Sequence, residues 1–246
     1  MMAISYKSPS DSEYGEFQYL HHRRSGRNED ETHCVSSWGK DFRKAYARLG
    51  ELRGIAPAHV AFVAMSATLP GPVLQEIKLS IRFHKNVTVY NLGNNRPNVR
   101  LEVRFLPYKN IFQAFDFLLD DIKKTIIYFD SRSDSQEVRN YLRNLRSRVA
   151  NDEQDIIKSF HLLYSDEHKS TTLQHFREGR IKILLSTEAA GMGCDINDVV
   201  RVVQFKEPST ISCLVQRFGR AARDESMQGY AILLDYSTNS RTCSRC

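Results

Sequence analysis

The segment "QRFGRAARD", residues 216–224, contains three arginines. In a continuous helix, Gln216, Arg220 and Arg223 are four and three residues apart, so one amide and two guanidinium groups share a face. Arginine is always charged and its planar fork binds phosphate, which suits this face to stabilising charge during nucleotide hydrolysis. The alternative is the solvated polar face of an amphipathic helix, with arginines extended into water. The spacing alone leaves both interpretations open.

Two other segments place polar groups directly after apolar runs. In "STEAAGMGCD", Thr187 precedes Gly191 and Gly193, and glycine lets a backbone approach a phosphate or a neighbouring domain closely. In "MSATLP", the hydroxyls of Ser66 and Thr68 follow a short apolar run. Both segments also have a plain structural interpretation, as a turn and as the cap of the next helix.

These groups need a scaffold, and the sequence predicts one between residues 97 and 236. The predicted strands cover residues 99–106, 125–129, 156–164, 181–187, 199–205 and 229–236, and the predicted helices cover 111–122, 133–149, 166–179 and 209–223. Strands that are apolar throughout and alternate with amphipathic helices indicate an α/β fold, a parallel sheet covered by helices on both faces. Ligands meet such a sheet at the carboxyl ends of its strands. This directs attention to "DSRSDS", "STEAAGMGCD" and the arginine segment.

The remainder of the chain is less regular. Residues 1–28 are polar without an apolar period, which predicts an irregular arm, and residues 237–246 form a polar tail. Residues 41–53 have apolar side chains at helical spacing, and 59–65 are typical of a buried strand. The sequence therefore predicts a smaller unit over residues 29–96, ahead of the main domain.

The composition excludes several classes of protein. Of the 246 residues, 41% are hydrophobic, which is enough to fill a globular core. The net charge of +6 is compatible with a polyanionic partner, although many basic proteins bind no nucleic acid. The sequence has neither a membrane-spanning apolar run nor a secretory signal, so we expect an intracellular protein with no membrane partner. Cys243 and Cys246 have metal-ligand spacing, but two ligands are not a zinc site, and zinc is not expected.

Five segments, taken together and in order, carry a family resemblance. They are "DETHCVSSWGKDFRKAYARLGELR", "MSATLP", "IIYFDSRSDSQEV", "LLSTEAAGMGCDINDVVRVV" and "LVQRFGRAARD". These segments resemble motifs of the RecQ family of ATP-dependent DNA helicases, in the DEAH-like superfamily. The resemblance implies a RecA-like P-loop NTPase fold, with a complete second lobe over residues 97–236 and the last part of the first lobe over 29–96.

By this resemblance, the cofactors are ATP and Mg²⁺. Asp30 would hold the metal ion, directly or through water, and Glu31 would orient and deprotonate the attacking water. Arg220 and Arg223 would stabilise charge on the γ-phosphate, and Gln216 would help to organise the cleft between the lobes. The same cleft would be lined by three residues of the glycine-containing segment, Gly191, Gly193 and Asp195.

The resemblance also implies contacts with single-stranded or forked DNA. The candidate DNA contacts are Trp38, Phe42, Arg43, Ser131, Ser133 and Thr187. In such a segment an aromatic ring can stack on a base and an arginine can pair with phosphate, while plain core packing is the alternative for the aromatic side chains. The candidate residues for coupling hydrolysis to DNA are His33, Ser66 and Thr68.

The sequence departs from the family pattern in several places. No G-x-x-x-x-G-K-[ST] segment occurs in the 246 residues, and this is the loop that holds the β- and γ-phosphates. The residues before Asp30, "HHRRSGRNE", cannot form the buried strand that should precede it. Ala222 stands where the family has glycine. "FHLLYSDEH" retains His161, for which a buried structural role and a DNA contact are equally open.

We therefore expect a RecQ-like sequence of the 3′–5′ DNA helicase type, with weak or no ATPase activity in this chain alone. The alternative is a non-catalytic nucleic-acid-binding or partner-binding module derived from a helicase. A third interpretation is an incomplete gene product. The expected location is intracellular, in the nucleus if the source is eukaryotic, and the oligomeric state is open.

Overall fold

The computed structural model describes residues 2–5, 49–56, 63–66, 71–91, 93–107, 109–149, 155–161, 163–187 and 196–236. The chain divides into two compact units, Met1–Asn95 and Arg96–Cys246. Each unit has its own sheet and its own buried cluster of apolar side chains. Within the described ranges, no helix is both long enough and apolar enough to cross a membrane.

The first unit contains a small antiparallel sheet with the strand order β2-β1-β3. Its strands are β1 (Met2–Ser5), β2 (Val63–Ser66) and β3 (Thr88–Asn91), and its helices are α1 (Leu52–Ile55), preceded by a 3-10 turn at Leu49–Glu51, and α2 (Gly71–Ser80). Ala64, Ile77 and Ile81 form its buried cluster.

Two of these strands are absent from the sequence prediction. Residues 2–5 form β1 rather than part of an irregular arm, and β3 was not expected at all. Each strand has four residues, which is too few for an alternating pattern to stand out. β1 is the central strand and pairs on both sides, so pairing with distant residues defines it better than its own sequence does.

The second unit contains a six-stranded sheet in which every pair is parallel, in the order β4-β9-β8-β5-β7-β6. Its strands are β4 (Val99–Phe105), β5 (Thr125–Tyr128), β6 (Ile157–Phe160), β7 (Ile183–Ser186), β8 (Arg201–Phe205) and β9 (Gly229–Asp235). Its helices are α3 (Phe117–Asp120), α4 (Arg132–Val149), α5 (Asp166–Arg177) and α6 (Ile211–Phe218). The predicted α/β class with a parallel sheet is confirmed.

Both faces of this sheet contribute to a core, because successive residues of a strand point to opposite sides. On one face, Tyr128 and Val202 belong to a cluster that includes Phe176 of α5. On the other face, Phe129 and Phe205 belong to a cluster with the ring of Phe115, and the ring centroids of these three residues lie 5.3–6.3 Å apart. The strands are apolar throughout because both faces are packed.

Two predicted elements and the coverage of one sheet edge differ from the prediction. The expected helix over 111–122 is a 3-10 helix at Ile111–Phe115 followed by the single turn of α3. The expected strand over 156–164 ends at Phe160. One edge of the sheet is also less covered than expected, since β4 leaves Leu101, Val103 and Phe105 exposed.

Candidate functional site

Three of the predicted site residues of the second unit, Ser131, Ser133 and Thr187, lie just after the ends of neighbouring strands. β5 is parallel to its two neighbours and pairs with β7 on one side and β8 on the other. The chain therefore leaves the sheet at one common edge after each strand. Ser131 and Ser133 follow β5, Thr187 follows β7, and α6 with Gln216 follows β8. The fold thus brings Ser131, Ser133 and Thr187 to this edge of the sheet. The residues after α6 lie toward the opposite edge, since Ala222 is hydrogen-bonded to Val199, just before β8, and to Asn98, just before β4.

Ser131 and Ser133 lie at the beginning of α4. Their hydroxyl oxygens are 2.7 Å apart and form a hydrogen bond. The Ser131 hydroxyl also accepts from the backbone N–H of Asp134 at 3.4 Å, and the Ser133 side chain is exposed. The first turn of a helix presents unpaired backbone N–H groups and a positive dipole end, so hydroxyls placed there are suited to contacting a phosphate.

The segment with Gln216, Arg220 and Arg223 is not one continuous helix, so the predicted common helical face is wrong. α6 ends at residue 218, and Gly219 is its cap. Arg220 lies in the turn that follows, and Arg223 comes directly after that turn. We refer to residues 219–223 as the arginine turn. All three candidate side chains are half-buried.

Arg96 and Asn98, just before the first strand of the six-stranded sheet, form hydrogen bonds with the arginine turn. The Arg96 guanidinium donates to the carbonyl of Ala222 at 2.6 Å, and the Asn98 amide donates to the same carbonyl at 2.9 Å. Asn98 also donates to the carbonyl of Met227 at 3.1 Å, and the backbone N–H of Ala222 donates to Val199 at 2.7 Å. Sequence reasoning gave Arg96 and Asn98 no role, although a polar pair around a proline next to a predicted strand was a usable signal.

Ala222 has a backbone conformation that favours glycine. Its φ is 41°, in the left-handed region, where a Cβ is unfavourable. This accounts for the glycine that the RecQ pattern has at this position. The Ala222 methyl group is fully buried in the core, and a Cβ built on Gly229 would lie 2.6 Å from it.

Arg217 is the buried arginine of this segment, and sequence reasoning missed it. Its side chain is 6% exposed, and its Nη1 donates to Asp130 Oδ1 and to Gln204 Oε1, at 2.7 Å in each case. Its guanidinium carbon lies 5.3 Å from the centroid of the Tyr128 ring. Asp130 directly precedes Ser131, so this ion pair joins α6 to the loop after β5.

Most of the remaining predicted site residues lie outside the described part of the chain. They are Asp30, Glu31, His33, Trp38, Phe42, Arg43, Thr68, Gly191, Gly193 and Asp195. Ser66 is the last residue of β2. Within the described ranges, no group of three or more His, Cys, Asp or Glu side chains is arranged to hold a metal ion. The proposed Mg²⁺ ligands therefore stay a prediction.

A cavity of about 310 Å³ elsewhere in the second unit is not part of this site. It is lined by Arg104, Phe117, Asp120, Asp121, Lys123, Arg201, Tyr230 and Ile232. Arg201 is the first residue of β8, and Tyr230 is the second residue of β9, so this part of the lining lies at the amino ends of those strands. Arg201 and Lys123 already contact the Asp121 carboxylate, at 3.2 and 2.8 Å. The cavity thus lacks the unpaired cations of an anion site.

His161 follows β6 at the same edge of the sheet as the site. It is 8% exposed, and its buried Nδ1 has no hydrogen-bond partner among the described residues. Its ring stacks on Tyr164, with centroids 5.6 Å apart. Burial lowers the pKa of His161, and the positive charges of Arg132 and Arg139 lower it further. A buried neutral imidazole favours the structural interpretation over a direct contact with DNA.

Comparison with known proteins shows that this chain is similar to helicases. Residues 108–225 match the model of the helicase conserved C-terminal domain. The chain is 31% identical over 199 residues to the ATP-dependent DNA helicase RecQ of Pasteurella multocida, covering 80% of this chain and 29% of that protein. It is 31% identical over 205 residues to the ATP-dependent DNA helicase Q1 of Pongo abelii, again over 80% of this chain and 29% of the relative. These similarities support a relationship between this chain and the RecQ helicases.

The solved structures similar to this chain show the same fold. Dbp5 of S. cerevisiae, bound to RNA and ADP BeF3, has a TM-score of 0.62 with 21% identity, over 82% of this chain and 52% of that one. The helicase Lhr of Mycobacterium smegmatis, bound to ssDNA and AMP-PNP, has a TM-score of 0.61 with 18% identity, over 84% of this chain and 28% of that one. The RecA-like fold is therefore confirmed. The chain spans less than a third of the length of the RecQ and Q1 relatives it matches.

The depressed pKa of His161 predicts that acid destabilises the fold of the second unit. In the unfolded chain the imidazole titrates near its ordinary pKa of about 6.5. Between that pH and the lower pKa of the folded state, the unfolded chain binds a proton that the folded chain does not, so the free energy of unfolding falls as the pH is lowered. We expect His161→Gln to remove this part of the pH dependence in urea titrations between mildly alkaline and mildly acid pH.

The control for this prediction is His168→Gln. His168 is exposed and contacts the same Tyr164 ring, with centroids 4.7 Å apart, so it matches His161 in residue type and neighbour but not in burial. An unchanged pH dependence in the His161→Gln variant would show that the imidazole of His161 does not titrate differently on folding.

Proposed function

We propose that this chain provides the second RecA-like lobe of an ATP-dependent 3′–5′ DNA helicase of the RecQ type, with single-stranded or forked DNA as its partner. The observation that carries the proposal is the 2.7 Å ion pair between Arg217 and Asp130. Arg217 directly follows Gln216 on the nucleotide side, and Asp130 directly precedes Ser131 on the DNA side. One part-buried contact therefore links the two halves of the proposed site.

On the nucleotide side, Arg220 and Arg223 are the residues that would contact phosphate. Their guanidinium groups lie on the arginine turn, which hydrogen bonds from Arg96 and Asn98 hold in place. Donors held in position in advance stabilise developing negative charge well, because they need no rearrangement during the reaction. ATP with Mg²⁺ would supply the phosphoryl group whose transfer to water releases energy. The described residues fit this group as one half of its site.

On the DNA side, Ser131, Ser133 and Thr187 would contact backbone phosphates of the bound strand. Neutral hydroxyl donors position a strand without reading its sequence, which suits a protein that moves along DNA. Because Asp130 is held by Arg217, a displacement of α6 acts on the loop before α4 directly. We therefore propose that the Arg217–Asp130 pair transmits the state of the nucleotide side to the DNA contacts.

We further propose that this chain alone has weak or no ATPase activity. The 246 residues contain no G-x-x-x-x-G-K-[ST] segment, and the backbone and lysine of that segment hold the β- and γ-phosphates. The same observation favours a second candidate function, a non-catalytic nucleic-acid-binding module. The two candidates share the DNA side of the site and differ in whether nucleotide hydrolysis accompanies binding.

The DNA side is tested by fluorescence anisotropy with the purified chain and a single-stranded DNA oligonucleotide, without nucleotide. We expect binding that weakens steeply with salt, since contacts with phosphate release counterions. Replacing Ser131 and Ser133 together by alanine should weaken binding about three- to tenfold and leave the salt slope unchanged, because a hydroxyl carries no charge. Ser147→Ala with Ser170→Ala, on exposed positions of α4 and α5, is the matched control.

Each outcome bears on a separate part of the proposal. Absence of DNA binding at low salt contradicts the helicase-type function and the binding module alike. Equal affinities of the two double variants contradict the assignment of Ser131 and Ser133. Robust DNA-stimulated ATP hydrolysis by the purified chain contradicts weak ATPase activity and the non-catalytic candidate, while it supports the helicase.

A further inference from the structure

The outer strand of the six-stranded sheet has an uncovered apolar strip. Leu101, Val103 and Phe105 of β4 are 70%, 61% and 65% exposed, and as alternate residues they lie on one face of the sheet. Among the described residues, β4 pairs with β9 alone. A long, apolar edge strand is unusual in a protein that works as a monomer, because it invites pairing with another chain.

The backbone of the same three residues faces the open edge. The N–H of Leu106 donates to Asp235 at 2.8 Å, and the Asn98 carbonyl accepts from Gly229 at 2.8 Å. Even-numbered residues of β4 therefore direct their backbone polar groups toward β9. Because these groups alternate along a strand, Leu101, Val103 and Phe105 direct theirs away from the sheet. An incoming antiparallel strand would form its hydrogen-bonded pairs with these three residues.

The opposite face of β4 carries a row of alternating charge. Glu102 lies between Arg100 and Arg104, with its carboxylate 3.1 Å from the first guanidinium and 2.7 Å from the second. A row with both signs of charge can complement itself when it meets a reversed copy. The strand therefore offers an apolar strip on one face and a self-complementary row on the other.

We propose that a second copy of this chain pairs antiparallel with β4, with the two-fold axis passing at Val103. In this register Val103 faces Val103 of the second copy, and Leu101 faces Phe105 in both directions. Glu102 faces Arg104 of the second copy, again in both directions. Cross-strand pairs of apolar or oppositely charged side chains stabilise a sheet, so every pair from residue 101 to residue 105 is favourable.

Other registers of β4 against β4 of the second copy give less favourable side-chain pairs. An axis at Glu102 places the two Glu102 carboxylates opposite each other and Arg100 opposite Arg104, and an axis at Arg104 places the two Arg104 guanidinium groups opposite each other. Like charges directly opposite in a sheet are destabilising. An axis at Leu101 pairs Val103 with Val99, which is already buried, and leaves Phe105 opposite a proline. The Val103 axis alone pairs the whole strip.

The carboxyl-terminal residues are a poorer occupant of the strip. They follow β9, whose Asp235 is paired with Phe105, so they start beside it. Their sequence, "STNSRTCSRC", contains no large apolar side chain and offers little apolar area to cover three exposed side chains. A second copy instead presents an identical strip and a complementary charge row.

Charge reversal tests the register by sedimentation equilibrium of the 246-residue chain, from micromolar to submillimolar concentration. Glu102→Arg alone and Arg104→Glu alone each place like charges at two symmetric pairs, so each should weaken self-association at least about tenfold. The double variant should restore it, and an equimolar mixture of the two single variants should form a heterodimer. Arg100→Glu should leave self-association unchanged, because Arg100 faces the uncharged Leu106 of the second copy.

Cysteine cross-linking tests the axis in a chain whose five native cysteines are replaced by serine. Paired residues at the axis have Cα atoms about 5.5 Å apart, within the range of a disulfide. Val103→Cys should therefore give a disulfide-linked dimer under mild oxidation, whereas Leu101→Cys, which is equally exposed but distant from its own copy, should not. A monomer at every concentration, self-association insensitive to both charge reversals, or equal cross-linking of the two cysteine variants would each overturn the proposal.

Discussion

Replacing Arg217 by alanine is expected to lower the free energy of unfolding of the second unit by about 2 kcal/mol, because the variant loses two hydrogen bonds of a charged donor. The guanidinium donates to Asp130 and to Gln204 at 2.7 Å. Gln204 is fully buried, so its Oε1 would lose a donor in a place that water reaches poorly, which adds a desolvation cost. Urea denaturation followed by circular dichroism measures the loss.

A double-mutant cycle with Asp130→Ala isolates the ion pair. The Asp130 side chain is half-exposed while that of Arg217 is buried, so removing the carboxylate leaves a desolvated charge with an amide as its acceptor. We expect a coupling free energy of about 1–3 kcal/mol between the two substitutions. Arg217→Lys should recover only part of the loss, because an ammonium group lacks the planar fork of arginine.

The control cycle uses Arg143 and Asp155, which form an exposed ion pair at 3.4 Å in the same unit. Its coupling free energy should stay below about 1 kcal/mol, as is usual for surface pairs. If the Arg217 cycle gave the same small coupling, the pair would not be a rigid connection between α6 and the loop before α4. The proposed transmission between the nucleotide side and the DNA side would then lose its physical basis.

The sheet of the second unit was predictable because both of its faces are packed. Strands such as β5 and β7 are entirely buried and mostly apolar, which makes them visible without any periodicity. The small sheet of the first unit was not predictable in this way. β1 contains four residues and is defined by strands that lie some 60 and 85 positions further along the chain, and no local pattern carries that information.

The sequence prediction for the arginine segment was wrong about the end of α6 and overlooked the burial of Arg217, for two different reasons. Gly219 is a common helix-stop signal, so a helix continued through it neglected a cue that was present in the sequence. For Arg217, the spacing was only a weak cue, since the residue lies three positions after Leu214, at the border of the side of the helix expected to be apolar. An arginine on an apolar face requires a buried acceptor, and the position of Asp130 relative to it follows only from the fold.

Position 229 is expected to tolerate no side chain. A Cβ added at Gly229 would lie 2.6 Å from the Cβ of Ala222 and 3.2 Å from the carbonyl oxygen of Val200. Gly229 begins β9 and is buried, so neither the strand nor the arginine turn can move away without disturbing the sheet. We expect Gly229→Ala to lower the free energy of unfolding by about 3 kcal/mol, at the upper end of the usual cost of overpacking.

The rescue variant is Ala222→Gly, which removes the methyl group that the new side chain would meet. On its own it should be close to neutral, because relief of the positive φ at Ala222 offsets the loss of one buried methyl group and the greater freedom of the unfolded chain. Combined with Gly229→Ala, it should restore at least about 1 kcal/mol. Gly219→Ala is the control, since a Cβ there meets nothing closer than 3.3 Å. Strict additivity of the two substitutions would mean that the arginine turn does not pack against the start of β9, and that its hydrogen bonds with Arg96, Asn98 and Val199 hold its backbone in place instead.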